Sequence, residues 1–237
     1  MKAVILAGGE GTRLRPLTYK IPKALIPIQG KTLTEQVFAI YKKAGVTEIY
    51  LSVAYMAEKI IEYFGDGSKF GLKIKYLEEK ERMGTAGPLL LLRQQKKIPT
   101  EDFFMSNGDN LFALDLNKMI KFHQKNQAIA TIALTEVTDP THFGIAKLAK
   151  DKILEFIEKP KKEEAPSNYA SSGYYLLSPK VFDYLPNKDF VMVETDFWPA
   201  IAKAGGLFGF KSSAQWFDTG TPQRHQQVEK EWQGIID

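Results

Sequence analysis

The sequence predicts a three-layer α/β fold built on a mostly parallel, mixed central sheet. Three observations carry this expectation. A short apolar run, Ala3-Val4-Ile5-Leu6-Ala7, reads as a buried strand and breaks into Gly8-Gly9-Glu10-Gly11. Two helical patterns then alternate with two further strand patterns as far as Leu77. Strand–helix alternation of this kind requires crossover connections, which are right-handed almost without exception and cover a parallel sheet on both faces.

Each element has its own signal. Leu33, Val37, Ile40, Tyr41 and Ala44 recur at helical spacing, and Gly45 stops the pattern. Glu48-Val53 is a strand; Ala57, Ile60, Ile61 and Phe64 are the apolar face of a second helix, closed by Gly65-Asp66-Gly67. Lys73-Leu77 is a third strand. The loop Arg82-Pro88 precedes a helix running to about Lys97. Phe103-Ser106 is a strand, Leu116-Phe122 a helix and Ala128-Val137 a long strand. Gly144-Leu148 and Ile153-Ile157 form a hairpin around Asp151, and Lys161-Asn168 is an exposed loop. A strand at Gly173-Leu177, short helices at Pro179-Tyr184 and Glu194-Ala204, and strands at Leu207-Phe210 and Gln215-Phe217 follow. Thr221 can cap a last helix that has Pro222 at its first position. No internal or hexapeptide repeat is visible.

Composition narrows the class. Of 237 residues, 44% are hydrophobic and 25% charged, as in ordinary globular proteins. The net charge of +4 is mild and unclustered, which argues against a nucleic-acid partner. Without cysteine the chain has no disulfide, thiolate metal site or thiol nucleophile, and the cytosol is the expected compartment. The first strand begins after two residues, so no signal peptide is expected. Runs such as Leu89-Leu92 fall far short of the roughly 20 residues of a membrane helix, so no membrane partner is expected.

The stretch with the clearest chemistry is Gly8 to Lys23. A strand ending in glycines exposes backbone N–H groups that suit a phosphate, and Arg13 and Lys23 add fixed cations, with Pro16 and Pro22 stiffening the segment between them. Two familiar phosphate loops are absent. No Lys-Ser/Thr pair follows a glycine at the Walker offset, and Leu14 stands where a dinucleotide fingerprint needs its third glycine. Taken alone, the turn could also be a plain βα connection. The whole string, however, resembles the signature G-G-x-G-T-R-L-x-P-L-T-x-x-x-P-K of the sugar-1-phosphate nucleotidyltransferases, with every fixed letter in register.

The resemblance extends to about Pro222 and most closely suggests the mannose-1-phosphate guanylyltransferases, through Met83-Gly84-Thr85-Ala86-Gly87-Pro88-Leu89. It implies a Rossmann-like single domain over 1–237, with a nucleotide-binding half at 1–137 and a sugar-phosphate-binding half at 138–237. It implies an enzyme that makes an NDP-sugar and pyrophosphate from an NTP, GTP in the first place, and mannose or heptose 1-phosphate, with Mg²⁺. The glucose-1-phosphate thymidylyl- and uridylyltransferases use similar loops and stand as alternatives.

Site residues follow from the same resemblance. Arg13, Lys23 and Asp109 are the expected catalytic residues. Leu6, Ala7, Gly8, Gly9, Gly11, Thr12, Gly84 and Thr85 would line the nucleotide; Thr85 could equally cap the following helix. Asn107, Gly108, Gly144, Glu158, Lys159, Ser172 and Gly173 would line the sugar phosphate, with Lys159 on its phosphate and Glu158 on sugar hydroxyls. Asp109, in Asn107-Gly108-Asp109, and Asp218, in Trp216-Phe217-Asp218-Thr219-Gly220-Thr221, would hold Mg²⁺, which takes one or two carboxylates and completes its shell with water and phosphate. Asp218 could instead only open the turn before the last helix.

Ser171-Ser172-Gly173 departs from the family's Asn-Ala-Gly, which leaves the sugar open. Glu194 and Asp196 sit at a predicted helix start, facing either the helix dipole or sugar hydroxyls. His123, His142 and His225 are scattered and read as structural or exposed. Two other functions compete. A phosphocholine-type cytidylyltransferase would use Tyr174, Tyr175 and Trp216 around a quaternary amine. A non-catalytic binding module would keep the fold without turnover. Family members also often self-associate, although no interface is legible in the sequence.

Overall fold

Ala3, Val4 and Ile5 are fully buried, and this apolar run begins the first strand. The computed structural model describes residues 1–234. In chain order the first elements are β1 (Lys2–Leu6), β2 (Pro27–Ile28), β3 (Lys31–Thr32), α1 (Leu33–Lys43), β4 (Glu48–Val53), α2 (Ala57–Phe64) and β5 (Lys73–Glu78). Next come α3 (Gly87–Gln94), β6 (Phe103–Asn107), β7 (Asn110–Phe112), α4 (Leu116–Lys125) and β8 (Ala130–Glu136). The remainder is β9 (Gly144–Ala149), β10 (Lys152–Glu158), β11 (Tyr169–Leu177), α5 (Trp198–Lys203), β12 (Leu207–Lys211), β13 (Trp216–Asp218) and α6 (Pro222–Glu231).

The chain folds as two compact units that interleave in sequence. The first comprises Met1–Glu81, Ser106–Asp115 and the residues from Ala214 onward; the second comprises Arg82–Met105 and Leu116–Ser213.

In the first unit, β4 pairs with β1 on one side and β5 on the other, all parallel. This is the predicted strand–helix–strand–helix–strand segment, formed because β1 and β4 are largely apolar runs, β5 buries Ile74 and Leu77, and the helices carry apolar faces. Thr32 caps α1 by accepting from the Glu35 N–H at 3.2 Å, while the Glu35 carboxylate accepts from the Thr32 N–H at 2.6 Å. This reciprocal pair satisfies two otherwise orphaned donors of the first turn. Phe64 packs edge-on against Phe38 at 5.2 Å and in a tilted arrangement against Phe70 at 5.4 Å.

The second unit holds the mixed sheet, in the order β11-β8-β12-β10-β9. β12 runs parallel to β8, while β11–β8, β12–β10 and the β9–β10 hairpin are antiparallel. Tyr174, Tyr175 and Trp198 are buried in its core, with the Tyr175 and Trp198 rings 5.1 Å apart.

The predicted α/β class with a mixed sheet is therefore present, with local differences. α3 ends at Gln94 rather than near Lys97, because Lys96 takes a left-handed φ of +54°. The helix expected over Glu194-Ala204 is a π turn at Val193–Phe197 followed by α5, which has Pro199 at its second position. Proline supplies no N–H, so a single continuous ladder could not pass through it. β11 starts at Tyr169, four residues before the predicted strand, and carries a bulge between Ser171 and Tyr175. Thr221 caps α6 as expected, accepting from the Arg224 N–H at 3.3 Å.

Candidate functional site

In the first unit the site grows from the ends of short strands. β1 delivers Leu6 and Ala7 to its C-terminal edge, where the Ala7 N–H still bonds the Ser52 carbonyl at 2.8 Å before the chain opens into Gly8, Gly9 and Gly11. The Thr18 hydroxyl donates to the Gly11 carbonyl at 2.8 Å and closes the loop on itself. Thr12 and Arg13 lie in a single 3₁₀ turn and are exposed. Gly9 has open space where a Cβ would stand, as a ligand-facing backbone requires.

Asp109 follows β6 in a tight turn. The Gly108 N–H donates to the Leu6 carbonyl at 2.9 Å, so Asn107-Gly108-Asp109 sits beside the end of β1. Lys23 Nζ donates to Asp109 Oδ2 at 2.6 Å, across 86 positions of sequence. Burial pushes the Asp109 carboxyl up, but the Lys23 ammonium, helped by the Arg13 charge, holds it below the ordinary carboxylate range.

Asp218 arrives by strand pairing. β13 runs antiparallel to β7 with Asp218 opposite Asn110, one residue from Asp109. Thr219 seals the arrangement, with its N–H at 3.1 Å and its hydroxyl at 2.8 Å both donating to the Asp109 backbone carbonyl. Asp218 Oδ1 accepts the Gly220 N–H at 2.7 Å, so the aspartate does open the turn before α6. Its Oδ2 accepts from Arg224. A Cβ at Gly220 would stand 2.7 Å from both the Arg13 guanidinium and Asp218 Oδ1, which places those two groups around one glycine.

These residues pass a test for a hard divalent cation. The donors are carboxylate oxygens, two aspartates are fixed on adjacent backbone, and such an ion needs no more than two protein carboxylates when phosphate and water complete its shell. Among the described residues, no group of three or more His, Asp or Glu offers a closed, all-protein cage.

The second unit gathers the other predicted residues. The β9–β10 register sets Gly144 directly opposite Glu158. A Cβ at Gly144 would meet the Phe156 ring at 2.3 Å and Glu158 Oε2 at 2.8 Å, so only glycine leaves that carboxylate in place. Lys159 follows in a left-handed conformation, φ +48°, and its Nζ lies 3.1 Å from Glu158 Oε1. Two-thirds of its side chain is exposed, at 65%, leaving its charge available to a ligand.

Gly84 turns at φ +79° with the Val191 backbone packed where a Cβ would be. Thr85 does not cap α3. The cap position is Ala86, and the Thr85 hydroxyl accepts the Val193 N–H at 2.8 Å and donates to Glu194 Oε2 at 2.7 Å. Burial pushes the Glu194 carboxyl above the ordinary range; the Thr85 hydroxyl opposes the shift and the Glu158 charge adds to it.

Other expectations meet a different arrangement. Ser172 is fully buried, and its hydroxyl donates to the Ala133 carbonyl at 2.8 Å. The β11 bulge turns it into the sheet and gives Gly173 its φ of +79°. Asp196 accepts the Met192 N–H at 2.9 Å and serves the π turn. Tyr174 and Tyr175 are core residues, which removes two of the three aromatics suggested for a quaternary amine. Sequence reading missed Arg224, Thr219 and the Thr85–Glu194 bond; of these, only the W-x-D-x-G-T string offered a signal, and it ends short of Arg224.

The chain matches the nucleotidyl transferase family model over residues 2–233. It belongs to the nucleotidyl transferase family. Among curated relatives of this nucleotidyl transferase, the mannose-1-phosphate guanyltransferase beta-B of Xenopus laevis is 37% identical over 227 residues, covering 94% of this chain and 62% of the relative. The chain thus spans somewhat less than two-thirds of the length of such relatives. A Bacillus anthracis crystal structure, provisionally named a glucose-1-phosphate thymidylyltransferase in complex with a sucrose, superposes with a TM-score of 0.88 at 29% identity, covering 100% of this chain and 96% of its own. HddC from Yersinia pseudotuberculosis, complexed with GMP-PN, gives a TM-score of 0.81 at 28% identity, covering 98% and 99%. Among the described residues, no helix of this family member is long and apolar enough to cross a membrane.

Proposed function

We propose that this chain makes a nucleoside-diphosphate sugar and pyrophosphate from a nucleoside triphosphate and a sugar 1-phosphate. A phosphate oxygen of the sugar phosphate attacks the α-phosphorus. The new P–O bond forms as the bond to the β-phosphate oxygen breaks, and pyrophosphate leaves with that electron pair. The substrate supplies its own nucleophile, so the protein's task is positioning and charge neutralisation. Arg13 and Lys23 would oppose charge on the triphosphate, with the backbone of Gly8, Gly9 and Gly11 cradling its oxygens. Lys159 would hold the sugar phosphate and Glu158 the sugar hydroxyls. Asp109 and Asp218 would hold Mg²⁺, which supplies further positive charge to phosphate oxygens when bound.

The observation that carries this reading is the Lys23–Asp109 bond, a cation of the signature loop joined to the expected metal carboxylate. GTP is the proposed nucleotide and mannose or heptose 1-phosphate the proposed sugar. This is supported by the Gly84-Thr85-Ala86-Gly87 loop, by the mannose-1-phosphate relative and by the GMP-PN complex of one structural neighbour. The Bacillus anthracis neighbour supports thymidylyl transfer to glucose 1-phosphate as the second reading. The cysteine-free composition supports a cytosolic site of action.

The deciding experiment is pyrophosphate release with Mg²⁺, pairing GTP, dTTP, UTP, CTP and ATP with mannose, glucose and heptose 1-phosphates. The expected result is strong preference for GTP with mannose or heptose 1-phosphate. Preference for dTTP or UTP with glucose 1-phosphate would select the second reading, and silence from a folded sample would overturn both.

A further inference from the structure

Three cations and two carboxylates share one corner of the first unit. Lys23 donates to Asp109 Oδ2 at 2.6 Å. Arg224 donates to Asp218 Oδ2, whose partner oxygen already accepts the Gly220 N–H at 2.7 Å. Arg13 stands at Gly220, beside Asp218 Oδ1. Arg224 also sits in the first turn of α6, two residues after Pro222, where the helix dipole disfavours a positive charge. Its side chain is only 32% exposed there, and the ion pair with Asp218 offsets that unfavourable placement.

We infer that Arg224 is a positioning residue of this site and the resident counter-ion of Asp218, as Lys23 is of Asp109. Each carboxylate of the aspartate pair then carries an internal cation that a divalent ion must displace. The nucleotide-free protein takes up such an ion poorly. A triphosphate, many times more strongly charged than either carboxylate, draws Lys23 and Arg224 toward itself and frees the aspartates as it arrives. The order is nucleotide first, or nucleotide and metal together, and not metal first. This inference rests on the reading of Asp109 and Asp218 as the metal-holding residues.

The test counts bound Mn²⁺ by electron paramagnetic resonance, a readout independent of turnover. An opposite charge within a few ångströms biases a carboxylate by a factor of ten or more. Nucleotide-free Arg224→Gln is therefore expected to bind Mn²⁺ at least about tenfold more tightly than the unaltered protein. Arg224→Lys, which keeps the charge, should stay near the unaltered value. Lys23→Gln gives an independent reading of the same rule at Asp109 and should also tighten binding. With a non-hydrolysable nucleoside triphosphate present, the gap between Arg224→Gln and the unaltered protein should close. Unchanged Mn²⁺ affinity in both folded variants, Arg224→Gln and Lys23→Gln, would overturn the inference while leaving the metal reading intact. Tight Mn²⁺ binding that survives Asp109→Asn with Asp218→Asn in the Arg224→Gln background would instead overturn the metal reading beneath it.

Discussion

Gly144 and Glu158 face each other across the β9–β10 hairpin, so closely that a Cβ on the glycine would stand 2.8 Å from the glutamate Oε2. The carboxylate therefore occupies the space a side chain would take, and its position is set by what its partner lacks. Glu158→Gln should raise KM for the sugar 1-phosphate and leave KM for the nucleotide near its starting value. Gly144→Ala should do the same and also lower stability by about 1–3 kcal/mol, because the Phe156 ring must move as well. Steady-state kinetics with each substrate varied separately checks both. An equal rise in the two KM values would place Glu158 elsewhere in the mechanism.

Lys23→Met and Asp109→Asn break the same 2.6 Å bond from opposite ends. Each removes a charge proposed to act on the transferring phosphate, directly or through the metal. A loss of about 10²–10³ in kcat is expected for either, the magnitude typical of a deleted transition-state contact. The double variant should lose less than the product of the two, since the residues act as a unit.

Glu194 ties stability to pH in the second unit. Its carboxyl is raised above 4.5 in the folded state, chiefly by burial, so the folded form holds the proton more tightly than the unfolded form does. That contribution favours folding below about pH 4.5 and is lost as pH rises through the folded value. Glu194→Gln should therefore be more stable than the unaltered protein at pH 7, with the advantage shrinking toward pH 4, in denaturant titrations run across that range. Thr85→Val removes the hydroxyl that bonds this carboxylate and should destabilise at pH 7 by about 1–3 kcal/mol, whereas Thr85→Ser should restore most of it.

Glu48 behaves in the opposite sense in the first unit. Burial pushes its carboxyl up, but Lys75 at 3.0 Å, Lys2 at 3.6 Å and Lys73 at 3.9 Å together hold it below 4.5. Its contribution to stability is present above pH 4.5 and is lost as pH falls through the folded value. The lysines are 37–68% exposed, so screening limits the effect of Glu48→Gln to about 1 kcal/mol at pH 7. The difference should weaken further in high salt.

The parts of this molecule with a strong local period were legible in the sequence. β1, α1, β4, α2 and β5 follow from apolar spacing, the β9–β10 hairpin from two short runs around Asp151, and the α6 cap from Thr221-Pro222. The pieces that assemble the candidate site were harder to read. A strand at Gln215-Phe217 is legible, but β7 is three residues long and has no pattern of its own, and it is the pairing of the two that carries Asp218 to Asn110. The task of Thr85 depends on Val193 and Glu194, more than a hundred positions away, and no local rule separates it from a helix cap. Ser172 turns inward because of a bulge that Gly173 permits, and a lone glycine in a strand does not say which neighbour it redirects. Lys23 and Arg224 are ordinary surface residues by type, and only the fold reveals that each already has a carboxylate to answer.

The first unit is assembled from three separate stretches of chain, with Asp109 on the second and Asp218 on the third. A gene fragment that stops before Ala214 would encode β1, the glycine loop and Asp109 without the strand that brings Asp218, so the aspartate pair cannot be inherited piecemeal. For the same reason, the second unit is the natural place to graft or exchange sequence. Its two stretches interrupt the first, and material swapped between Leu116 and Ser213 leaves the covalent frame of the phosphate loop, of β6 and of both aspartates untouched.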